Sequence, residues 1–285
     1  MIASFDWGDV RLTLLDGGVL WLDGGAMFGV VPKPLWEKLR RPDERNRIRL
    51  AMNVLLIDDG RRKTLVDPGA GTAWPEKFLE IFGLETKGPE ELLAPAGLAP
   101  GDIHRVINTH LHFDHAGGNT VSDGTRFTAA FPNAEYVVQR GELETARERN
   151  ERSRASYFPD RWEPLVDEGR LRLVAGPVDL GGGVSVEPAP GHTPHMQIVR
   201  VAGGAGTLVF LADLVPTASH VPYPYIMGYD LEPLRTLATK KDVLTRAAKG
   251  GWTVVFEHDD RLPVGTLSEE RGRLEARPVE PVTGR

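Results

Sequence analysis

Asn108-Thr109-His110-Leu111-His112-Phe113-Asp114-His115-Ala116-Gly117-Gly118 is the stretch on which the reading of this chain turns. It follows the apolar run Arg105–Asn108, so it stands at the carboxyl end of an expected strand. In extended backbone alternate side chains share a face, which sends His110, His112 and Asp114 to one side. A turn must then bring His115 round to them, and the Gly117-Gly118 pair permits the close packing that such a turn needs. With 8 histidines in 285 residues, a His-x-His-x-Asp-His string arises by accident in roughly one such sequence in a few thousand. Imidazole and carboxylate donors together suit zinc, manganese or iron better than calcium or copper(I).

Residues of the same kind close other apolar runs. His192 lies in Pro190-Gly191-His192-Thr193-Pro194-His195, after the run at Val184. Asp213 ends Leu208-Val209-Phe210-Leu211-Ala212, and His258 ends Val254-Val255-Phe256-Glu257. Three polar ligand types at the ends of apolar strands are what a metal site on one rim of a sheet requires. Asp67 ends Thr64-Leu65-Val66 and would reach the same rim. There its carboxylate would accept a hydrogen bond from the non-coordinating nitrogen of a ligand histidine or tie down the His110–His115 loop. His195 is read as a buried hydrogen-bonding residue and His104 as structural. His220, Tyr223, Tyr225 and Tyr229 follow Asp213 in a Pro-rich loop of the kind that forms pocket walls. The apolar, Gly-rich stretch from Gly24 to Trp36 is expected to form a mobile lip over the site, with Trp36 in a packing role.

Further β-branched runs at Val10–Leu15, Ile48–Ile57, Lys63–Val66, Glu135–Gln139, Leu171–Val174, Ile198–Val201 and Thr253–Phe256 are each bounded by Gly, Pro or Asp, which predicts many short strands. Helical signals cover Pro75–Phe82, Pro89–Ala94, Gly141–Arg154 and Leu231–Ala248. The last has Asp230 as N-cap, Gly250 past its end, and Leu234, Leu237, Ala238, Leu244 and Ala248 at helical spacing. Strands interspersed with helices mean an α/β layered domain. No low-complexity linker interrupts the chain, so a single domain over 1–285 is expected, with about 262–285 as a wrap-around C-terminal tail. The absence of Cys excludes a disulfide framework, a Cys nucleophile, thiolate zinc sites and iron–sulfur clusters. A net charge of -6 argues against a nucleic-acid partner. No apolar run reaches the length of a membrane span, and a start carrying Asp6 and Asp9 does not read as a secretory signal. The expectation is a cytoplasmic protein acting on a small molecule, with a homo-oligomer left open.

With these residues in place, the sequence resembles the metallo-β-lactamase superfamily from about Asp67 to His258, through His110-x-His112-x-Asp114-His115 and Gly191-His192-Thr193. The resemblance implies a four-layer αβ/βα sandwich, two packed mixed sheets with helices outside, and a two-metal site on the sandwich edge. By position, His110, His112 and His192 would bind the first metal, Asp114, His115 and His258 the second, and Asp213 would bridge both. His112 stands where the oxygen-reducing flavo-di-iron members usually have Glu, which favours a zinc hydrolase. Two zinc ions per chain would hold a bridging hydroxide at neutral pH, and Asp114 would hand a proton to the leaving group.

Within the superfamily the segment His110–Asn119 and Pro190–Pro194 resemble the lactonase-like branch, of which the N-acyl-homoserine lactonases are the best-known members. The chain departs from them at Pro216, where they place a Tyr three residues after the bridging Asp; Tyr223 is the substitute offered further along the loop. The expectation is a dinuclear-zinc hydrolase, lactonase- or esterase-like, of unassigned substrate. A phosphoesterase and a mononuclear-iron persulfide dioxygenase are the rival readings.

Overall fold

A computed structural model describes residues 2–270 and 272–279. In the first sheet, Ala3–Asp6, Arg11–Asp23, Arg47–Asp58, Lys63–Val66, Arg105–Ile107, Glu135–Gln139 and Leu171–Val174 lie side by side in that order, and Glu85–Thr86 adds to the long second strand. Pairing is antiparallel up to Lys63–Val66 and parallel from there on. The second sheet runs Val178–Gly181, Val184–Pro188, Gln197–Gly203, Gly206–Phe210, Thr253–Val255, Val264–Glu270 and Arg273–Pro278. Its one parallel pair joins Gly206–Phe210 to Thr253–Val255.

The period-2 alternation of the strands sets the layers. Leu12, Leu14, Leu55 and Ile57 point into a core shared with Val186, Ile198, Val201 and Leu208 of the second sheet. Their neighbours Leu15, Val54, Leu56 and Leu65 point the other way, onto Leu92, Leu93 and Leu165 of the short helices Pro89–Leu93 and Glu163–Asp167. The long helix Pro233–Gly250 lays Val243, Leu244 and Ala247 on the second sheet. The result is helix, sheet, sheet, helix, with burial of each such side chain contributing about 2 kcal/mol. Among the described residues, no helix is long and apolar enough to cross a membrane.

Several elements differ from expectation. The strand expected at Val10–Leu15 continues to Asp23, because Gly17-Gly18 bends it without ending it. The register slips between Asp16 and Val19, and Gly18, at φ +117°, lies so close to Glu85 that a Cβ would stand 2.0 Å from the Glu85 carbonyl oxygen. The stretch after His258 is not a wrap-around tail: Val264–Glu270 and Arg273–Pro278 pair as strands at the edge of the second sheet. Residue 271 and residues 280–285 of that stretch lie outside the described residues. The helix expected over Gly141–Arg154 is Arg140–Arg147 only.

The final helix, expected over Leu231–Ala248, runs Pro233–Gly250: Glu232 and not Asp230 precedes it, and Gly251 and not Gly250 closes it in the left-handed conformation, which suits a Pro in the first turn and a Gly beyond the last. It buries Thr236, Lys240, Val243, Leu244 and Ala247, while Leu234 is exposed. Its start beyond Asp230 releases that carboxylate for another partner.

Candidate metal centre

Strands ending at Val66, Ile107, Phe210 and Val255 all deliver the chain to one rim of the sandwich. The turns that follow are cramped. Asp67 and Ala212 take positive φ values of 46° and 45°, a conformation that costs a non-glycine residue energy unless its surroundings hold it there. A Cβ on Gly117 would stand 2.2 Å from the Ala70 carbonyl oxygen, so that glycine is what lets the Asp67 turn pack against the histidine loop.

Asp114 does not share an extended face with His110 and His112. Phe113–Ala116 is a helical turn that His112 precedes; it turns Asp114 off the face of the two preceding histidines and brings the His115 ring back to 4.0 Å from that of His110. Two buried donor groups result: His110, His112, His192 and Asp213 form one, and Asp114, His115 and His258 the other. Asp213 spans them. Its Oδ2 lies 3.0 Å from His192 Nε2 and its Oδ1 3.1 Å from His258 Nε2. Asp114 Oδ2 lies 3.8 Å from His115 Nε2 and 3.7 Å from His258 Nε2.

Scaffold hydrogen bonds assign the ring tautomers. His258 Nδ1 donates to the Ala51 carbonyl at 2.8 Å, and His192 Nδ1 to Asp230 Oδ1 at 2.9 Å. His115 Nδ1 lies 3.1 Å from Asp67 Oδ2. Thr109 Oγ1 donates to Asp67 Oδ2 at 2.5 Å and therefore accepts from His110 Nδ1 at 3.0 Å. In the neutral form of all four rings, Nε2 is then the lone-pair nitrogen directed at the cluster. His112 is turned the other way, with its Nδ1 3.1 Å from His192 Nε2. Buried His110 Nε2 and Asp213 Oδ1 have no hydrogen-bond partner, and such atoms are costly unless something satisfies them. A converging set of imidazole lone pairs and carboxylate oxygens fits a pair of divalent cations.

The carboxylates draw positive charge to part of the cluster: against burial, Glu257, Asp114 and Asp213 hold His115 well above the usual histidine range, and Asp213 and Asp230 raise His192. Burial and the neighbouring imidazoles hold His110 and His112 well below the usual histidine range. Burial opposes protonation of His258, yet Asp213 and Glu257 outweigh it and hold this ring up at about 9. Burial would raise Asp213, but His192, His115 and His258 keep it well below the carboxylate range. The cluster is built to attract positive charge.

Asp67 takes the place expected of it at the rim, accepting also from Thr109 N at 2.8 Å. Three further carboxylates escaped sequence reasoning. Asp230, read as a helix cap, holds His192. Glu257 is fully buried beside His115, its Oε2 3.0 Å from Nδ1, and burial pushes it up to about 8. Glu142 is fully buried on the helix Arg140–Arg147 and accepts from Leu111 N at 3.2 Å, Tyr157 Oη at 2.9 Å and Thr193 Oγ1 at 2.6 Å. It thereby ties the His110–His112 segment to the residue after His192. A buried partner was legible for none of them: Glu142 sits in a charged stretch that reads as a solvated face, Asp230 reads as a helix cap, and Glu257 ends an apolar run beside His258 with no partner in its own stretch.

A cavity of about 220 Å³ opens over the cluster, reaching His112, Asp114, His192, Asp213 and His258. Leu22, Met27, Phe82, Phe113 and Met227 give it an apolar wall, and Arg152, Ser156 and Tyr229 line it with polar groups. Of the tyrosines expected there, Tyr229 lines it and its hydroxyl is raised to about 12 by burial, Asp23 and Asp114. Tyr223 lines a separate cavity with Tyr225, Arg273 and Glu275. At Pro216 the backbone serves instead, its carbonyl accepting His258 N–H at 2.9 Å.

His220 is no pocket wall; it is buried, bonded to Thr217 Oγ1 at 2.8 Å and the Met27 carbonyl at 2.9 Å. His195 is not buried: its ring packs on Gly141 at an exposed position, where the Pro194 turn directs it outward. His104 lies at the surface and accepts Lys63 N–H at 3.2 Å. The expected lip is a packed element, with helices Gly24–Phe28 and Lys33–Trp36 and Trp36 stacked on Phe28 at 5.4 Å; Met27 alone of it lines the cavity.

The metallo-beta-lactamase superfamily model matches residues 48–258. An N-acyl homoserine lactonase from Bacillus sp is 28% identical over 187 residues, 64% of this chain and 63% of that protein. One from Bacillus cereus is 28% identical over 174 residues, 59% of this chain and 60% of that protein. The chain thus matches less than two thirds of these relatives' length. Among solved structures, a probable metal-dependent hydrolase from Staphylococcus aureus superposes with a TM-score of 0.89 at 30% identity, covering 97% of this chain and 99% of that one. AidC, a dizinc quorum-quenching lactonase in complex with a product, gives 0.82 at 21% identity over 97% of each chain, a likeness of fold. Its layered architecture and the family match that runs to His258 place this chain in the metallo-β-lactamase superfamily.

Proposed function

We propose that this protein is a metal-dependent hydrolase that holds two zinc ions and cleaves a small ester or lactone. The carrying observation is Asp213, whose two oxygens face separate histidines, His192 and His258, at 3.0 and 3.1 Å. A single-ion centre has no use for a second group of Asp114, His115 and His258 bridged to the first in this way. His110, His112 and His192 would hold one ion, Asp114, His115 and His258 the other, and Asp213 both. The ion pair would supply Lewis acidity towards a carbonyl oxygen and acidify a water molecule at neutral pH.

The remaining work belongs to side chains. Asp114 stands at the cavity floor, where its carboxylate can take a proton from the attacking water and return it to the leaving oxygen. Tyr229 offers a hydroxyl that stays protonated at neutral pH and can donate to a substrate oxygen. The apolar wall formed by Leu22, Met27, Phe82, Phe113 and Met227 excludes water and receives an aliphatic or aryl arm. The lactonase relatives support a lactone or ester over a phosphodiester.

Metal analysis of protein purified without chelator, followed by a panel of lactones, aryl esters and a chromogenic phosphodiester, tests the reading. Two zinc ions per chain with ester or lactone turnover are expected. One iron per chain with oxygen consumption would overturn it.

A further inference from the structure

We infer that the cavity accepts a substrate carrying a carboxylate, or an anion of equivalent geometry, on the part remote from the bond that is cleaved, and that Arg152 binds it. This rests on the hydrolase reading only for which end of the ligand faces the donor cluster. Arg152 is the one lysine or arginine lining the cavity. Its Nη2 donates to the Gly228 carbonyl at 2.6 Å and to the Asp230 carbonyl at 3.2 Å. Asp230 in turn holds His192 through its side chain at 2.9 Å, so the guanidinium is anchored on the main chain of the residue whose side chain orients the cluster.

Those two carbonyls occupy one nitrogen. Among the described residues no carboxylate lies within ion-pair distance of Arg152, and its Nε and Nη1 have no hydrogen-bond acceptor. A guanidinium presents its donors as a planar fork that matches a carboxylate, and fixing one edge on main-chain carbonyls removes part of the entropy lost on binding. The facing wall of Leu22, Met27, Phe82, Phe113 and Met227 offers no side-chain charge to compete for it. A short chain laid along that wall, with one end at the metal cluster, would bring a terminal carboxylate to Arg152.

Calorimetric titration of the zinc-loaded protein with matched pairs tests this: propionate against succinate, butyrate against glutarate, and pentanoate against adipate. Each pair shares the carboxylate that can occupy the metal end and differs only in the second one. One dicarboxylate should bind about tenfold more tightly than its partner, the order expected of one charge-assisted pair in a partly exposed site. In Arg152→Gln the ratio should fall to about one, and Arg152→Lys should restore part of it. The inference is overturned if no dicarboxylate is preferred, or if the preference survives in Arg152→Gln. It is equally overturned if Arg152→Gln weakens both members of a pair alike, since Arg152 would then only strap the two cavity walls together. Failure of the two-zinc protein to hydrolyse 4-nitrophenyl butyrate counts against the hydrolase reading and leaves these ratios untouched.

Discussion

At the residue scale, the design lies in which ring nitrogen each histidine commits to the scaffold. Asp67 controls two rings at once, directly at His115 Nδ1 and through Thr109 at His110. Asparagine has the same shape but one acceptor oxygen in place of two, and no charge to support the imidazoles. Asp67→Asn should lower zinc retention about 10- to 100-fold with the far-UV spectrum unchanged, as read by competition with a chelator. A second substitution pair tests how the donors are divided. Asp213→Ala removes the carboxylate common to both groups and should leave less than one zinc per chain, whereas His258→Ala should leave about one. Equal metal loss in the two variants would refute the division into two groups.

At the element scale, the helix Arg140–Arg147 is outside the donor cluster and yet controls it. Its Glu142 gathers a main-chain N–H beside His112, the hydroxyl of Tyr157, whose ring packs on His112 at 4.7 Å, and the hydroxyl of Thr193. Replacement by leucine would strand these buried donors, at about 1–3 kcal/mol for each left unsatisfied. Glu142→Leu should therefore unfold at a denaturant concentration lower by the equivalent of about 3 kcal/mol and bind its first zinc more weakly. Glu142→Gln keeps an acceptor for Leu111 N and Tyr157, and Thr193 can reverse to accept from the amide. It should recover most of both properties. If leucine and glutamine behaved alike, the carboxylate oxygens would not be what holds the loop.

At the scale of the whole molecule, the segment after Asp213 is locked to the N-terminal helices through His220. This ring is buried against Phe28 at 4.5 Å, bonded to the Met27 carbonyl, and lowered by burial to about 3. The unfolded chain takes up a proton near the ordinary value of 6.5, so it binds more protons than the folded chain between that pH and 3. His220 therefore favours folding fully above about pH 6.5, and that stability is lost as pH falls through the window towards 3. Thermal melts of metal-free protein from pH 7 to pH 4.5 should show a steeper fall in the wild type than in His220→Asn, whose amide does not titrate. Parallel curves would show that this ring is not the sensor.

What the sequence determined by itself is what depends on near neighbours. The His110–His115 cluster declares its donors through short spacing, and Asp67, His192, Asp213 and His258 declare themselves as polar residues that end apolar runs. Strand ends are legible because side-chain alternation and the cost of an unpaired acid in a core act locally. The direction in which a charged surface segment packs is not local. Glu142 meets Thr193 across 51 positions, and His258 meets Ala51 across 207, so neither partner is visible from its own stretch of chain. Only the closed sandwich decided that Glu142, Asp230 and Glu257 turn inward, that His195 turns outward, and that Val264–Glu270 and Arg273–Pro278 extend a sheet. A carboxylate or an imidazole on a turn is satisfied equally well by water or by a buried donor, and which of the two it meets is set by the elements that tertiary packing brings against it.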